Sequence, residues 1–244
     1  MFRFNLVNAS TSSVDGLKSI LESHLLEWEN IYEISGNSLD FPQRFYRCIQ
    51  KAVQKTGKRA VVLIDEYDKP LVSSLQNDSL NRQFREILKP VYGTLKAADE
   101  YIRFAFVSGV SRFSRLSIFS DINNLSDISL SDKYAAICGI TEKEMLEQCG
   151  TGISTLAKSL GKSDNETLTL LKRQYDGYHF TVSCPDIYNP FSLFSAFELK
   201  AIENYWFATG TPTFLIQALR NSDVYLPDLL HLSLIHISEP TRRT

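Results

Sequence analysis

The sequence is poor in the residues that staple or metallate small proteins. Its four cysteines, Cys48, Cys138, Cys149 and Cys184, form no C-x-x-C pair, so neither a disulfide framework nor a structural zinc site is expected, and a reducing compartment is the default. The four histidines, His24, His179, His231 and His236, show no metal-ligand spacing. His24 reads as a helix-surface residue. No apolar run approaches the roughly 18 residues of a membrane span, and Met1-Phe2-Arg3-Phe4-Asn5 lacks the apolar core of a secretory signal. The expected setting is therefore the cytoplasm, without a membrane partner. Charge of one sign is not in excess either. The 26 Lys and Arg against 28 Asp and Glu leave a net charge of −2, so bulk charge makes no case for a polyanion partner. Internal repeats and low-complexity tracts are missing. What remains is a chain of 244 residues, 43% hydrophobic and 22% charged, enough for one ordinary globular domain and a smaller second one.

The most informative stretch is Val61-Val62-Leu63-Ile64-Asp65-Glu66. Four apolar residues run without alternation, which fits a strand buried on both faces of a parallel sheet. Ligand sites in such sheets lie at the carboxyl ends of the strands. Two adjacent carboxylates there are costly unless they face a cation. This is the spelling of a Walker B element of a P-loop NTPase, whose first acid holds Mg²⁺ and whose second polarises the attacking water.

Around it, the pattern predicts further elements. Residues 2–7 alternate as a strand. Ser12-Ser13-Val14-Asp15 resembles a capping box before a helix marked by Val14, Leu17, Leu21, Leu25 and Trp28. Asp40 opens a second helix, carrying Phe41, Phe45, Ile49 and Val53, that Gly57 ends. Leu80, Phe84, Ile87, Leu88, Val91 and Leu95 mark a third, which Pro90 should kink or split. Residues 101–107 form another strand, ending in Ser108-Gly109. Strand–helix–strand order argues for parallel pairing. Beyond residue 120 the texture changes: polar residues 121–133 hold one short strand near 127–130, Thr141 and Asp164 cap helices, and Asn189-Pro190 and Thr211-Pro212 each start one. A helix is expected over residues 190–204.

Long ordered matches extend the reading. They include the stretch from Val61 through Glu66-Tyr67-Asp68-Lys69-Pro70, then Phe104-Ala105-Phe106-Val107-Ser108-Gly109-Val110-Ser111-Arg112-Phe113-Ser114. Further on come Ile137-Cys138-Gly139-Ile140-Thr141, Tyr175-Asp176-Gly177-Tyr178-His179-Phe180, Tyr188-Asn189-Pro190-Phe191-Ser192 and Gly210-Thr211-Pro212-Thr213-Phe214-Leu215. On these stretches the chain up to about residue 230 resembles the bacterial AAA-ATPase-like family. The resemblance implies an α/β fold: an incomplete P-loop NTPase-type parallel sheet with flanking helices over residues 1–135, and a smaller helical lid over 136–231. Residues 232–244 change character abruptly, resemble a translated sequencing adapter, and are expected to be no part of the fold.

The resemblance also implies a phosphate-binding loop and strand–helix unit upstream of the position matching Met1, and often a PD-(D/E)xK nuclease-like domain downstream. The sole Gly-Lys-Ser, Gly161-Lys162-Ser163, has Leu156 where the first glycine of G-x-x-x-x-G-K-[ST] belongs. It reads as a helix end and a polar loop. The expected chemistry is Mg²⁺-dependent ATP binding and hydrolysis in an intact parent, with little activity in this chain. Asp65 is the expected metal anchor and Glu66 the water-orienting group. Ser108 is either a sensor of the γ-phosphate or a turn residue. Ser111, Arg112 and Arg115 are phosphate contacts or a solvated helix face. Asp68 and Lys69 pair with each other, line the cleft, or lie in a solvated loop. Gly210-Thr211-Pro212 is a turn near adenine or a plain helix cap. Pro185-Asp186 with Glu198-Leu199-Lys200 spells a nuclease pattern, but on a helix where a hairpin is needed. A homo-oligomer or partner protein is the expected assembly, with nucleic acid reached only through a downstream domain. Competing readings are a non-catalytic interaction module with a degenerate nucleotide site and part of a nuclease-associated defence protein.

Overall fold

The computed structural model describes residues 1–6, 12–35, 39–110, 117–119, 122–176, 180–181 and 184–205. The chain divides into two compact units, residues 1–127 and 128–244.

The first unit is built on three parallel strands, β1 (Phe2–Asn5), β2 (Ala60–Asp65) and β3 (Ile102–Val107), in the spatial order β1-β2-β3. Parallel pairing requires crossovers. Helices α1 (Val14–Ile31) and α2 (Phe41–Thr56) connect β1 to β2, and α3 (Lys69–Ser73) and α4 (Asp78–Ala97) connect β2 to β3. In α1 the residues Leu17, Leu21, Leu25 and Trp28 recur every three to four positions and are buried as one stripe. Its cap is Ser13, whose hydroxyl accepts from Gly16 N at 3.1 Å, one residue later than the pattern Ser12-Ser13-Val14-Asp15 indicates. Asp40 caps α2 as expected, accepting from Gln43 N at 3.0 Å, and Gly57 ends it at φ 66°. The helical stripes meet the buried face of the sheet, where the Phe4 ring lies edge-on to Trp28 and Phe45 at centroid separations of 4.8 and 4.9 Å. His24 is not simply a surface residue: half-buried, its ring stacks on Trp28, and its Nε2 lies 3.3 Å from Asn5 N.

Two expectations fail here for packing reasons. Helix α4 runs unbroken through Pro90. The proline disturbs the helix by about 3 kcal/mol, but Phe84, Leu88, Val91, Tyr92 and Leu95 are all buried along it, each contributing about 1.5–3 kcal/mol. Strand β2 is not buried on both faces. Ala60, Val62 and Ile64 are buried, whereas Val61 and Leu63 are only half-buried. Val61 and Leu63 pair with Phe104 and Phe106, which are 53% and 38% exposed. Helices thus cover one face of the sheet, and the outer edge of β3 has no strand partner among the described residues.

In the second unit, β4 (Ile140–Thr141) pairs antiparallel with β5 (Ile187–Tyr188), and the described residues hold four helices: α5 (Glu142–Gln148), α7 (Asp164–Tyr175) and α8 (Pro190–Leu199), which begin near the expected starts, and α6 (Gly150–Leu160), for which no start was expected. Met145, Leu156, Leu171, Tyr188 and Leu193 form its core. The box Thr141/Glu144 is present, and a second is formed by Ser163 with Glu166, so Ser163, not Asp164, caps α7. Helix α8 stops at Leu199, short of residue 204, because Lys200 turns left-handed at φ 55°. Residues 127–130 form no strand. Among the described residues no helix is long and apolar enough to cross a membrane.

Candidate functional site

The parallel register brings two chain segments together at the carboxyl end of the sheet. Ile64 lies opposite Val107, so the residues that follow, Asp65 and Ser108, emerge side by side. Ser108 N donates to Ile64 O at 2.9 Å, and the Ser108 hydroxyl donates to Asp65 Oδ1 at 2.7 Å. The second oxygen, Oδ2, lies 3.9 Å from Arg3 Nη2 on the neighbouring strand β1. The Asp65 side chain is 46% and that of Arg3 59% exposed, so this long ion pair contributes less than about 1 kcal/mol. The carboxylate is therefore held on one oxygen and open to a further cation on the other.

Glu66 follows with φ 51°, in the left-handed region, although it is not a glycine. Such a backbone costs about 1–2 kcal/mol and concentrates where function holds it. The turn is closed by Lys69 N donating to Glu66 O at 3.0 Å. The Lys69 ammonium then lies 3.7 Å from Glu66 Oε2. Lys69 thus pairs with Glu66 and not with Asp68.

Asp68 is not in a solvated loop: it is fully buried and accepts from Val110 N at 3.2 Å through Oδ1. Tyr67 N donates to Ser108 O at 3.0 Å, and Tyr92 Oη donates to Tyr67 O at 2.9 Å. Burial, and after it the neighbouring Asp68, pushes both phenols well above their ordinary range, so they stay neutral. The sequence signal for this buried acid is faint: only the apolar neighbours Tyr67 and Pro70-Leu71 hint at it.

The structure brings Asp65 and Ser108 together, while the carboxylate of the adjacent Glu66 meets Lys69. Ser111, Arg112 and Arg115, and also Gly210-Thr211-Pro212 and the tail, lie outside the described residues. Gly161-Lys162-Ser163 is accounted for by helix termini: Gly161 at φ 64° ends α6, and Ser163 caps α7. Asp186 precedes β5, Glu198 lies in α8 and Lys200 ends it, so the nuclease-like spelling does not fall on adjacent strands.

Residues 1–119 match the model of the AAA-ATPase-like family, described as a predicted AAA-ATPase. The AAA-ATPase-like match takes in all three parallel strands and Asp65, Glu66 and Ser108. The chain is also 39% identical over 186 residues, 76% of its length, to "Uncharacterized protein in vnfD 5'region" of Azotobacter chroococcum mcd 1. Those residues make up 34% of that protein, so the chain spans about a third of this relative. No solved structure matches the chain.

The donor set can be tested against the ion that such a family uses. Among the described residues no group of three or more His, Cys, Asp and Glu side chains is gathered as a cage. Mg²⁺ does not require one, because it keeps several waters and is held by one or two carboxylates together with substrate phosphates. A half-open strand-end carboxylate with a hydroxyl on its flank fits that pattern.

Proposed function

We propose that the first unit carries the metal-anchoring half of a Mg²⁺-dependent ATP-hydrolysing site, belonging to a longer ATPase whose phosphate-binding loop lies outside this chain. The observation that carries the reading is the 2.7 Å hydrogen bond from Ser108 to Asp65, at the carboxyl rim of a parallel sheet whose β3 edge has no strand partner among the described residues. Asp65, with Oδ1 fixed by Ser108, would be the residue that holds the ion. When bound, Mg²⁺ would supply charge neutralisation to the nucleotide phosphates. Glu66 accepts a hydrogen bond from the attacking water and orients it. Ser108, Ser111 and Arg112 contact the phosphates, Arg112 through a bidentate fork that stays charged. The second unit serves as the lid, and a nuclease-like domain further along the parent would supply any nucleic-acid partner.

Two measurements test this. Calorimetry on this chain should show no micromolar Mg·ATP affinity, because backbone amides and a lysine of the absent loop do most of the phosphate cradling. Micromolar affinity would contradict the half-site. In the longer parent, Glu66→Gln should retain nucleotide and stop turnover, and undiminished hydrolysis would remove Glu66 from its role.

One observation favours a second reading, a non-catalytic interaction module: Phe104 and Phe106 stand exposed on adjacent positions of one sheet face, ring centroids 6.4 Å apart. A longer parent in which Phe104→Ser abolishes partner binding, while Asp65→Asn changes nothing, would support it over the ATPase.

A further inference from the structure

We propose that Asp68 is a positioning residue that locks the turn after β3 and so fixes the Ser108 hydroxyl on Asp65. The proposal rests on reading Asp65 as the metal anchor.

A fully buried carboxylate is costly unless polar partners satisfy it, so its placement needs a cause. Asp68 Oδ1 accepts from Val110 N at 3.2 Å. Between these two groups lies Gly109. A Cβ on Gly109 would fall 2.5 Å from Asp68 Oδ1 and 2.6 Å from Cε1 of Tyr67, so glycine is required here by close approach. Tyr67 packs against the same side of Gly109 as Asp68. Its amide holds Ser108 O, its own carbonyl is held by Tyr92, and its ring lies edge-on to Phe119 at 5.0 Å.

Three hydrogen bonds thus clamp consecutive parts of the turn: Ser108 N to Ile64 O, Tyr67 N to Ser108 O, and Val110 N to Asp68 Oδ1. With the backbone held on both sides, the remaining freedom of Ser108 is rotation of its side chain, which the Asp65 bond at 2.7 Å takes up. Asp68 holds Val110, the second residue past Ser108. It acts through Val110 and Ser108, as groups behind a metal ligand orient that ligand.

The test uses the full chain with three variants. Asp68→Ala removes the acceptor, Asp68→Asn keeps an oxygen of the same shape, and Gly109→Ala drives the turn off Asp68 without altering it. Amide exchange at Val110 is read against Val62 in the centre of β2, and Mn²⁺ affinity is read from line broadening at Asp65. Asp68→Ala and Gly109→Ala should speed Val110 exchange about tenfold or more, leave Val62 unchanged, and weaken Mn²⁺ by about 10–100-fold. Asp68→Asn should restore both readings. Equal acceleration at Val62 and Val110 would mean a merely structural role and overturn the proposal, as would failure of asparagine to rescue, or unchanged Mn²⁺ affinity while Val110 opens. If wild-type Asp65 shows no response to Mn²⁺, the metal reading fails and the positioning role with it. A Val110-specific effect in the exchange data would then describe a clamp of the fold alone.

Discussion

Replacing Glu66 by glycine should leave the first unit more stable than replacing it by alanine. At φ 51° an L-residue with a Cβ bears the left-handed penalty of about 1–2 kcal/mol, and alanine bears it as fully as glutamate. Glycine escapes that penalty but has a more flexible unfolded chain, which offsets about 0.5–1 kcal/mol. Both variants lose the same pair to Lys69, a 3.7 Å contact between side chains 43% and 35% exposed, so that contribution cancels. The net expectation is that Glu66→Gly exceeds Glu66→Ala by about 0.75 kcal/mol, the difference between the midpoints of those two ranges. Urea unfolding followed by fluorescence measures it. Trp28 is buried in the core of the first unit, and a Trp206→Phe background makes it the sole reporter, which avoids reading two units in one curve. Equal midpoints, or alanine above glycine, would refute the strain argument. A confirmed difference would mean that the chain keeps a carboxylate at a position where glycine fits the backbone better. That is the pattern of a site where activity is retained at the expense of stability.

Other consequences can be checked directly. Arg44 is bidentate to Glu29, at 2.7 and 2.8 Å, with both side chains about 95% buried, so Arg44→Ala should destabilise the first unit by about 3–5 kcal/mol and Arg44→Met/Glu29→Leu should recover most of it; a loss under 1 kcal/mol in the same urea assay would contradict this. Glu166 accepts from the Ser163 backbone and then from its hydroxyl, which lowers its carboxyl below the ordinary 4.5. Its folded value is thus below its unfolded one, so the cap's contribution is fully present above 4.5 and lost as pH falls through the lowered folded value; a Glu166 resonance titrating at or above 4.5 would contradict the cap. Burial pushes the Cys48 thiol up to about 12. Cys138 is exposed, so a disulfide reagent at neutral to mildly alkaline pH should modify Cys138 in the native protein and Cys48 only after unfolding; rapid native labelling of Cys48 would place it elsewhere.

Much of the first unit was legible because its helices carry clean stripes. Leu17-Leu21-Leu25-Trp28 and the Asp40 and Gly57 termini each have a local physical cause that the fold does not override. The juxtaposition of Asp65 with Ser108 was legible only through strand order: once β2 and β3 are parallel neighbours in register, their exits must adjoin. Where tertiary packing decides, the sequence misleads. Pro90 carries a breaker's chemistry, but the buried face of α4 outweighs it. The apolar run 61–64 reads as doubly buried, yet one face of the sheet is half-open, because periodicity reports what a strand is suited to and not what covers it. Asp68 shows the deepest limit. Its burial depends on Val110, forty-two residues further along the chain, and on the glycine between Ser108 and Val110, neither of which any local pattern links to it.

Divalent-cation binding at Asp65 is the property on which the proposed site most directly depends. Titrating Mn²⁺ into isotope-labelled protein should broaden the Asp65, Glu66 and Ser108 amides first and saturably, with Mg²⁺ competing and Asp65→Asn abolishing the effect. Broadening that spares these three residues, or that survives Asp65→Asn, would contradict it.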